Sequence, residues 1–354
     1  MAKLFEKFTL RNIEFRNRIW VSPMCQYSSS DGMPTDWHLV HLGSRAVGGA
    51  GLVFMEATAV SPEGRISPQD AGIWSDAHAD AYARIVTFIK SQGAIVGIQL
   101  AHAGRKASTA APWDGGKEVA IENGGWQTVA PSALRFEDDY PDPREMTKSD
   151  IDKAVSDFVS AANRSVQAGF EVIEVHAAHG YLCHQFLSPL SNQRTDEFGG
   201  SLENRLRFPL QIARAVRETV PQNLPVFVRI SATDWTEGGW DLEQSIEFCK
   251  ELKKVGIDLI DVSSGGNVPD AKIPVGSNYQ VPFAATIREK TQIATAAVGM
   301  ITEPQQAEEI LQKGEADAIL MARGFLREPY FAFHAARELS EKPDVPKQYG
   351  RAID

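Results

Sequence analysis

Apolar residues fall in short, nearly continuous runs, and between the runs they recur at the spacing of one helix face. Eight runs stand out, at residues 18–22, 51–58, 94–101, 170–176, 226–231, 259–263, 293–298 and 318–321. A strand that is apolar on both faces belongs to a parallel sheet covered by helices, because a sheet with one wet face alternates apolar and polar positions. Amphipathic patterns predict helices over 77–92, 148–168, 204–219, 242–255, 304–313 and 329–339. Thr147 with Asp150 three positions on reads as a helix start, and Pro304 sits where a first helical turn tolerates proline.

Eight alternations of strand and helix point to an α/β chain closed as a single (β/α)8 TIM barrel. A doubly wound sheet can also use eight strands, but it more often carries a glycine fingerprint after its first strand. Here that segment reads Ser22-Pro23-Met24-Cys25-Gln26-Tyr27. Residues 104–140 are rich in Gly, Pro, Trp and acids and break the repeat. They are read as an insertion after strand 3, on the catalytic face where long barrel loops gather. No linker or low-complexity tract divides the 354 residues, so one domain spanning 1–354 is expected.

Composition narrows the partners. The net charge of −10 argues against a nucleic-acid or anionic-membrane surface. The three cysteines are scattered, which suits a reducing compartment. The first residues carry no secretory apolar core, and no run approaches the roughly 18 residues of a membrane span. A soluble, cytoplasmic protein is the expectation.

In such a barrel the chemistry gathers at the C-terminal strand ends. The densest segment there is Glu174-Val-His176-Ala-Ala-His179-Gly-Tyr181. Two imidazoles can together hold and polarise one oxygen, and a phenol is a weak acid suited to protonating a carbanion-like centre. The same histidines can instead be satisfied core residues or metal ligands, although no carboxylate stands at ligand spacing. Arg229, inside a barrel strand, needs a partner, either a planar ligand with partial negative charge or an acid such as Glu174 or Asp261. Gln99 can meet an amide-like ring edge with donor and acceptor together. Gly299 and Arg323 end strands seven and eight, where barrels frequently bind phosphate on backbone N–H groups. Cys25 is either a small packing residue or a weak S–H donor toward a cofactor.

The motifs together resemble the Old Yellow Enzyme family of flavoproteins. They are SPMCQY at 22–27, QLAHAGRK at 99–106, HAAHGYL at 176–182, and Gln348-Tyr349 with Arg351, and the likeness runs over nearly the whole chain. His179 and Cys25 point to its thermophilic-like class II branch, since other branches commonly carry Asn and Thr there. The resemblance implies an FMN-dependent ene-reductase with NADPH or NADH as hydride donor and no metal. Ser22, Pro23, Met24, Cys25, Ala57, Gln99 and Arg229 would contact the isoalloxazine. Gly299, Ala322 and Arg323 would hold the phosphate, with Ala322 standing where Gly is frequent. Hydride would pass from flavin N5 to the β-carbon of an α,β-unsaturated carbonyl or nitro compound. His176 and His179 would bind the substrate oxygen, Tyr181 would protonate the α-carbon, and Tyr27 would line the pocket. The C-terminal tail, 342–354, would reach a neighbouring subunit and place Arg351 in its substrate pocket, within a homodimer or a homotetramer. A metal-dependent barrel lyase or isomerase, and a non-catalytic flavin- or xenobiotic-binding protein, are the competing readings.

Overall fold

All eight runs form strands, and the strands pair in parallel in chain order until the last closes on the first. The computed structural model describes residues 1–352. The strands are β1 (Ile19–Val21), β2 (Leu52–Ala59), β3 (Ile95–Ala101), β4 (Val172–Ala177), β5 (Val226–Ser231), β6 (Leu259–Ser263), β7 (Ala294–Ala297) and β8 (Ala318–Met321). Closure is explicit in the register, with Ile319 beside Ile19 and Met321 beside Val21. Among the described residues eight helices of eight residues or more surround them, α1 (Asp36–Val47), α2 (Asp76–Ser91), α3 (Lys148–Ala168), α4 (Leu202–Thr219), α5 (Leu242–Val255), α6 (Val281–Thr291), α7 (Pro304–Gln312) and α8 (Phe331–Glu338). Thr147 opens α3 with the expected reciprocal cap, accepting from the Asp150 N–H.

Two helices escape the sequence pattern. In α1, two histidines and a glycine interrupt the apolar face, and α6 is only weakly amphipathic. The insertion of 104–140 holds short 3-10 turns and one two-residue strand, Val129–Ala130, paired with Arg144–Glu145.

Side chains along a strand alternate between its faces, so each barrel strand sends every second residue inward. Ile19, Val53, Ile98, Ile173, Val228 and Ile260 point outward into one apolar shell beneath the helices. Trp20, Phe54, Val172, Phe227 and Leu259 point inward and form a second, separate apolar cluster. An N-terminal hairpin, Phe8–Leu10 with Ile13–Phe15, caps this floor. Phe15 lies 4.6 Å from the Trp20 ring, and Trp20 lies 5.9 Å from Phe227. One end of the barrel is therefore closed with hydrocarbon, and polar groups inside it can collect only toward the other.

Trp20 is fully buried, and its indole N–H donates to Asn17 O at 3.1 Å. Trp20→Ala is expected to cost about 3–5 kcal/mol, through the cavity and the lost floor contacts. Urea unfolding checks this, and a loss below about 1 kcal/mol would mean the floor repacks around the gap.

Candidate active site

Above the hydrocarbon floor, the next inward positions are Ser22, just past β1, and Gln99, Glu174, Arg229 and Asp261 on four further strands. Arg229 Nε lies 3.2 Å from Asp261, and its Nη1 donates to Ser22 Oγ at 3.1 Å. Gln99 Nε2 donates to Glu174 Oε1 at 2.8 Å. Burial raises both carboxyls. Asp261 is held to about 6 by the Arg229 charge. Glu174, repelled by Asp261 besides being buried, is pushed well above the carboxylate range. Near neutral pH the layer thus holds one guanidinium, one carboxylate and one neutral carboxyl. The acid partner foreseen for Arg229 is Asp261. The Gln99 Oε1, uncommitted among the described residues, is left to accept from a ligand N–H.

The next inward step brings His176, followed by the turn His179-Gly180-Tyr181. His176 Nδ1 accepts from the Ala178 N–H at 3.2 Å, so the ring proton sits on Nε2. The His179 ring meets Ser263 Oγ at 2.8 Å. The rings of His176 and His179 are 5.2 Å apart, and that of Tyr181 is 5.0 Å from His176. Burial, reinforced by the charge of Arg229, holds both imidazoles well below their ordinary pKa. Both are therefore neutral, and each can donate only one N–H. Burial pushes Tyr181 well above the ordinary phenol value, with Cys25 and Tyr27 adding to the shift, so it keeps its proton. Lys106 Nζ clamps the turn from outside, donating to His179 O at 3.0 Å and Gly266 O at 2.8 Å. Among the described residues no three His, Cys, Asp or Glu side chains converge as metal ligands.

The loop after β1 carries Pro23, Met24, Cys25 and Tyr27. A β-bulge in β2 turns Glu56 out of register between Met55 and Ala57, and Ala57 then pairs with Gln99. The freed Glu56 carboxylate accepts from the Gln26 N–H at 2.8 Å and meets His38 of α1 at 3.0 Å. This ties the Cys25 loop to the outer helix. Cys25 lies deep in the barrel mouth with part of its surface open. Burial, then Asp70 and Glu56, raise its thiol well above the usual range, so it stays S–H. Tyr27 adopts a left-handed backbone (φ 48) and sets its ring edge-on to Trp113 of the insertion, 5.4 Å away. The insertion, with its Lys106 and Tyr140, therefore walls the mouth together with Tyr181.

A second cleft opens at the ends of β7 and β8, lined by Ser263, Gln280, Gly299, Met300, Ala322 and Arg323, with Arg327 at its edge. Among the described residues no acidic side chain lines it. Arg323 is exposed, and among the described residues its guanidinium reaches only Met300 Sδ, at 3.4 Å. Gly299 has φ 111, and a Cβ there would lie 2.4 Å from Gln280 Nε2. Two cations with no counter-charge among the described residues, beside close backbone, fit an anionic group such as a phosphate. Arg351 lies elsewhere, exposed in the turn Lys347–Ala352, whose Tyr349 hydroxyl meets Tyr330 at 3.3 Å. The last two residues of the 342–354 tail lie outside the described residues.

Sequence reading missed the supporting groups Glu56 with His38, Ser263, and His184 with Asp234. Inward parity along β6 could have found Ser263. The others sit on a bulge, on helices and on a loop, where no strand alternation applies.

Residues 3–342 match the profile of the NADH:flavin oxidoreductase / NADH oxidase family. An NADPH dehydrogenase of Geobacillus sp. (strain WCH70) is 49% identical over 350 residues, covering 98% of each chain. Among solved structures, the old yellow enzyme homologue from Zymomonas mobilis superposes with TM-score 0.80 at 27% identity, covering 98% of this chain and 96% of that one. A 2-naphthoyl-CoA reductase in complex with 2-naphthoyl-CoA superposes with TM-score 0.86 at 26% identity and covers 96% of this chain. The match takes in 52% of that enzyme, so the chain spans about half its length.

Arg229→Met is expected to leave Asp261 as an unpaired buried carboxylate, at a cost of about 3–5 kcal/mol. A carboxyl whose folded pKa is raised binds its proton more tightly when folded, so its unfavourable contribution grows as pH rises through that pKa. The deficit relative to wild type should therefore be smaller at about pH 5 than at about pH 8. Denaturant melts at both values check the sign, and a pH-independent deficit would contradict it.

Proposed function

The chain belongs to the NADH:flavin oxidoreductase / NADH oxidase family, and on that premise we propose that it is an ene-reductase acting on α,β-unsaturated carbonyl and nitro compounds. It is an oxidoreductase of Old Yellow Enzyme type, with FMN as cofactor and a nicotinamide nucleotide as hydride donor. The observation that carries the finer reading is the cluster of two neutral imidazoles and one protonated phenol above a buried guanidinium.

The residues fit FMN. Gln99 offers a free acceptor and Arg229 a positive charge to the polar edge of the ring. Ser22, Pro23, Met24, Cys25 and Ala57 would form its bed, and Gly299, Ala322 and Arg323 would hold the phosphate. The Ala322 methyl is half-buried beside Arg323 and does not fill the cleft. When bound, FMN would supply hydride transfer between the nicotinamide and an electron-poor carbon of the substrate. His176 and His179 donate to the substrate oxygen, drawing electron density toward it and leaving the β-carbon electron-poor. Tyr181 delivers a proton to the α-carbon, so one hydride and one proton are added across the double bond. Tyr27 lines the pocket beside the walls of the insertion. Cys25, kept as a thiol, would offer its S–H to the cofactor.

The purified protein should be yellow, release FMN on denaturation and oxidise NADPH faster when 2-cyclohexenone is present. A colourless protein, or NADPH oxidation indifferent to the enone, overturns the proposal. Replacing both His176 and His179 by Ala should keep the colour and reduce enone-dependent turnover by more than about 10²-fold, since one such donor is typically worth that much.

The tail belongs to the same reading. Two-fold symmetry places two tails reciprocally, so Arg351 of each subunit lines the other's substrate pocket in a homodimer or a tetramer of dimers. Deleting residues 348–354 should raise the enone KM and weaken association in sedimentation, with FMN content unchanged. Unaltered KM and sedimentation would contradict the shared site.

A further inference from the structure

We propose that His184 and Asp234 form a buried positioning pair that sets the turn carrying His179 and Tyr181, and so places the Tyr181 proton. The inference rests on Tyr181 as the proton donor. Two consecutive residues of that turn, His179 (φ 59) and Gly180 (φ 72), hold left-handed backbone. A histidine there is strained, and the surroundings must enforce it. Ser231 Oγ accepts from the His179 N–H at 2.9 Å. The next N–H, that of Gly180, donates to His184 Nδ1 at 2.9 Å. A Cβ on Gly180 would lie 2.2 Å from Gly266 O, so the turn is also pressed against the loop after β6.

His184 lies in the short helix Leu182–Leu187, and both it and Asp234 are fully buried. Because Nδ1 accepts the Gly180 N–H, the ring proton is on Nε2, which lies 3.0 Å from Asp234 Oδ1. The other carboxylate oxygen, Oδ2, accepts from Ser188 Oγ at 2.5 Å, the Trp240 N–H at 2.9 Å and Asn267 Nδ2 at 3.4 Å. These donors fix which oxygen faces the histidine. Burial alone would raise the Asp234 pKa, but His184, Ser188 and the Trp240 N–H together bring it below its ordinary value. Asp234 thus stays ionised and selects the Nε2–H tautomer, the one form of His184 that can accept from Gly180. An apolar side chain of equal volume would fill the space and leave the Gly180 N–H unmet.

Asp234→Asn separates this role from packing. Ser188 and Trp240 still require an oxygen, so the new amide nitrogen turns toward His184. The ring proton then shifts to Nδ1, against the Gly180 N–H. The test is a double-mutant cycle in anaerobic stopped flow on the FMN-loaded protein. Asp234→Asn is expected to slow reoxidation by 2-cyclohexenone about tenfold, while reduction by NADPH changes less than about twofold. Combined with Tyr181→Phe, the two losses should fall clearly short of multiplying, because the part of the Asp234→Asn loss that acts through the Tyr181 proton is already gone, and only the part that acts through His179 remains. Full multiplication of the two losses, or an unchanged rate in Asp234→Asn, overturns the pair. A wild-type rate in Tyr181→Phe alone instead overturns the donor reading of Tyr181. Nitrogen-15 spectra of the wild-type protein test the pair independently of how the variant folds. A neutral His184 ring protonated at Nε2 is expected, and an imidazolium or an Nδ1–H ring overturns the proposal.

Discussion

Arg229 stays charged in a place where charge is costly, and the site is arranged around that fact. Asp261 neutralises it at 3.2 Å, and Ser22 takes one of its N–H groups. With the single positive charge already balanced, the second buried carboxyl, Glu174, is kept neutral. The same charge works upward through the barrel. It adds to burial in holding His176 and His179 neutral, and neutral imidazoles can polarise an oxygen without carrying a proton to it.

The surrounding structure keeps that layer at one depth. Trp20, Phe15 and Phe227 close the floor, so polar groups cannot reach water downward. Above, side-chain ties hold two loops of the barrel mouth. Glu56 and His38 fasten the Cys25 loop, Lys106 clamps the His179 turn, and His184 fixes the same turn from beneath. Each tie ends in a buried polar group with a partner, which is the condition for rigidity in a low-dielectric interior.

Much of this was legible along the chain. Continuous apolar runs reveal parallel strands because both faces are buried, and all eight were found. Within those runs Gln99, Glu174, His176, Arg229 and Asp261 interrupt the pattern at inward positions, so the polar layer is readable once the barrel is assumed. The helices α1 and α6 were not readable. In α1, His38 reaches Glu56 of β2 rather than adding to a plain apolar face, and it and His41 blur the 3.6-residue period. The Glu56 bulge was hidden because a one-residue shift leaves no trace in composition, only in register. The assignment of His184 and Asp234 needed three dimensions, since fifty residues separate partners that lie 3.0 Å apart.

The central claim is that the site adds a hydride to the β-carbon and a proton, by way of Tyr181, to the α-carbon. The most direct test is to let the protein reduce 2-cyclohexenone with NADPH deuterated at both C4 positions, in ordinary water, and to locate the label in the product by NMR. The account requires cyclohexanone with deuterium at the β-carbon and none at the α-carbon. Deuterium on the former carbonyl carbon, in an allylic alcohol, or at the α-carbon would contradict it.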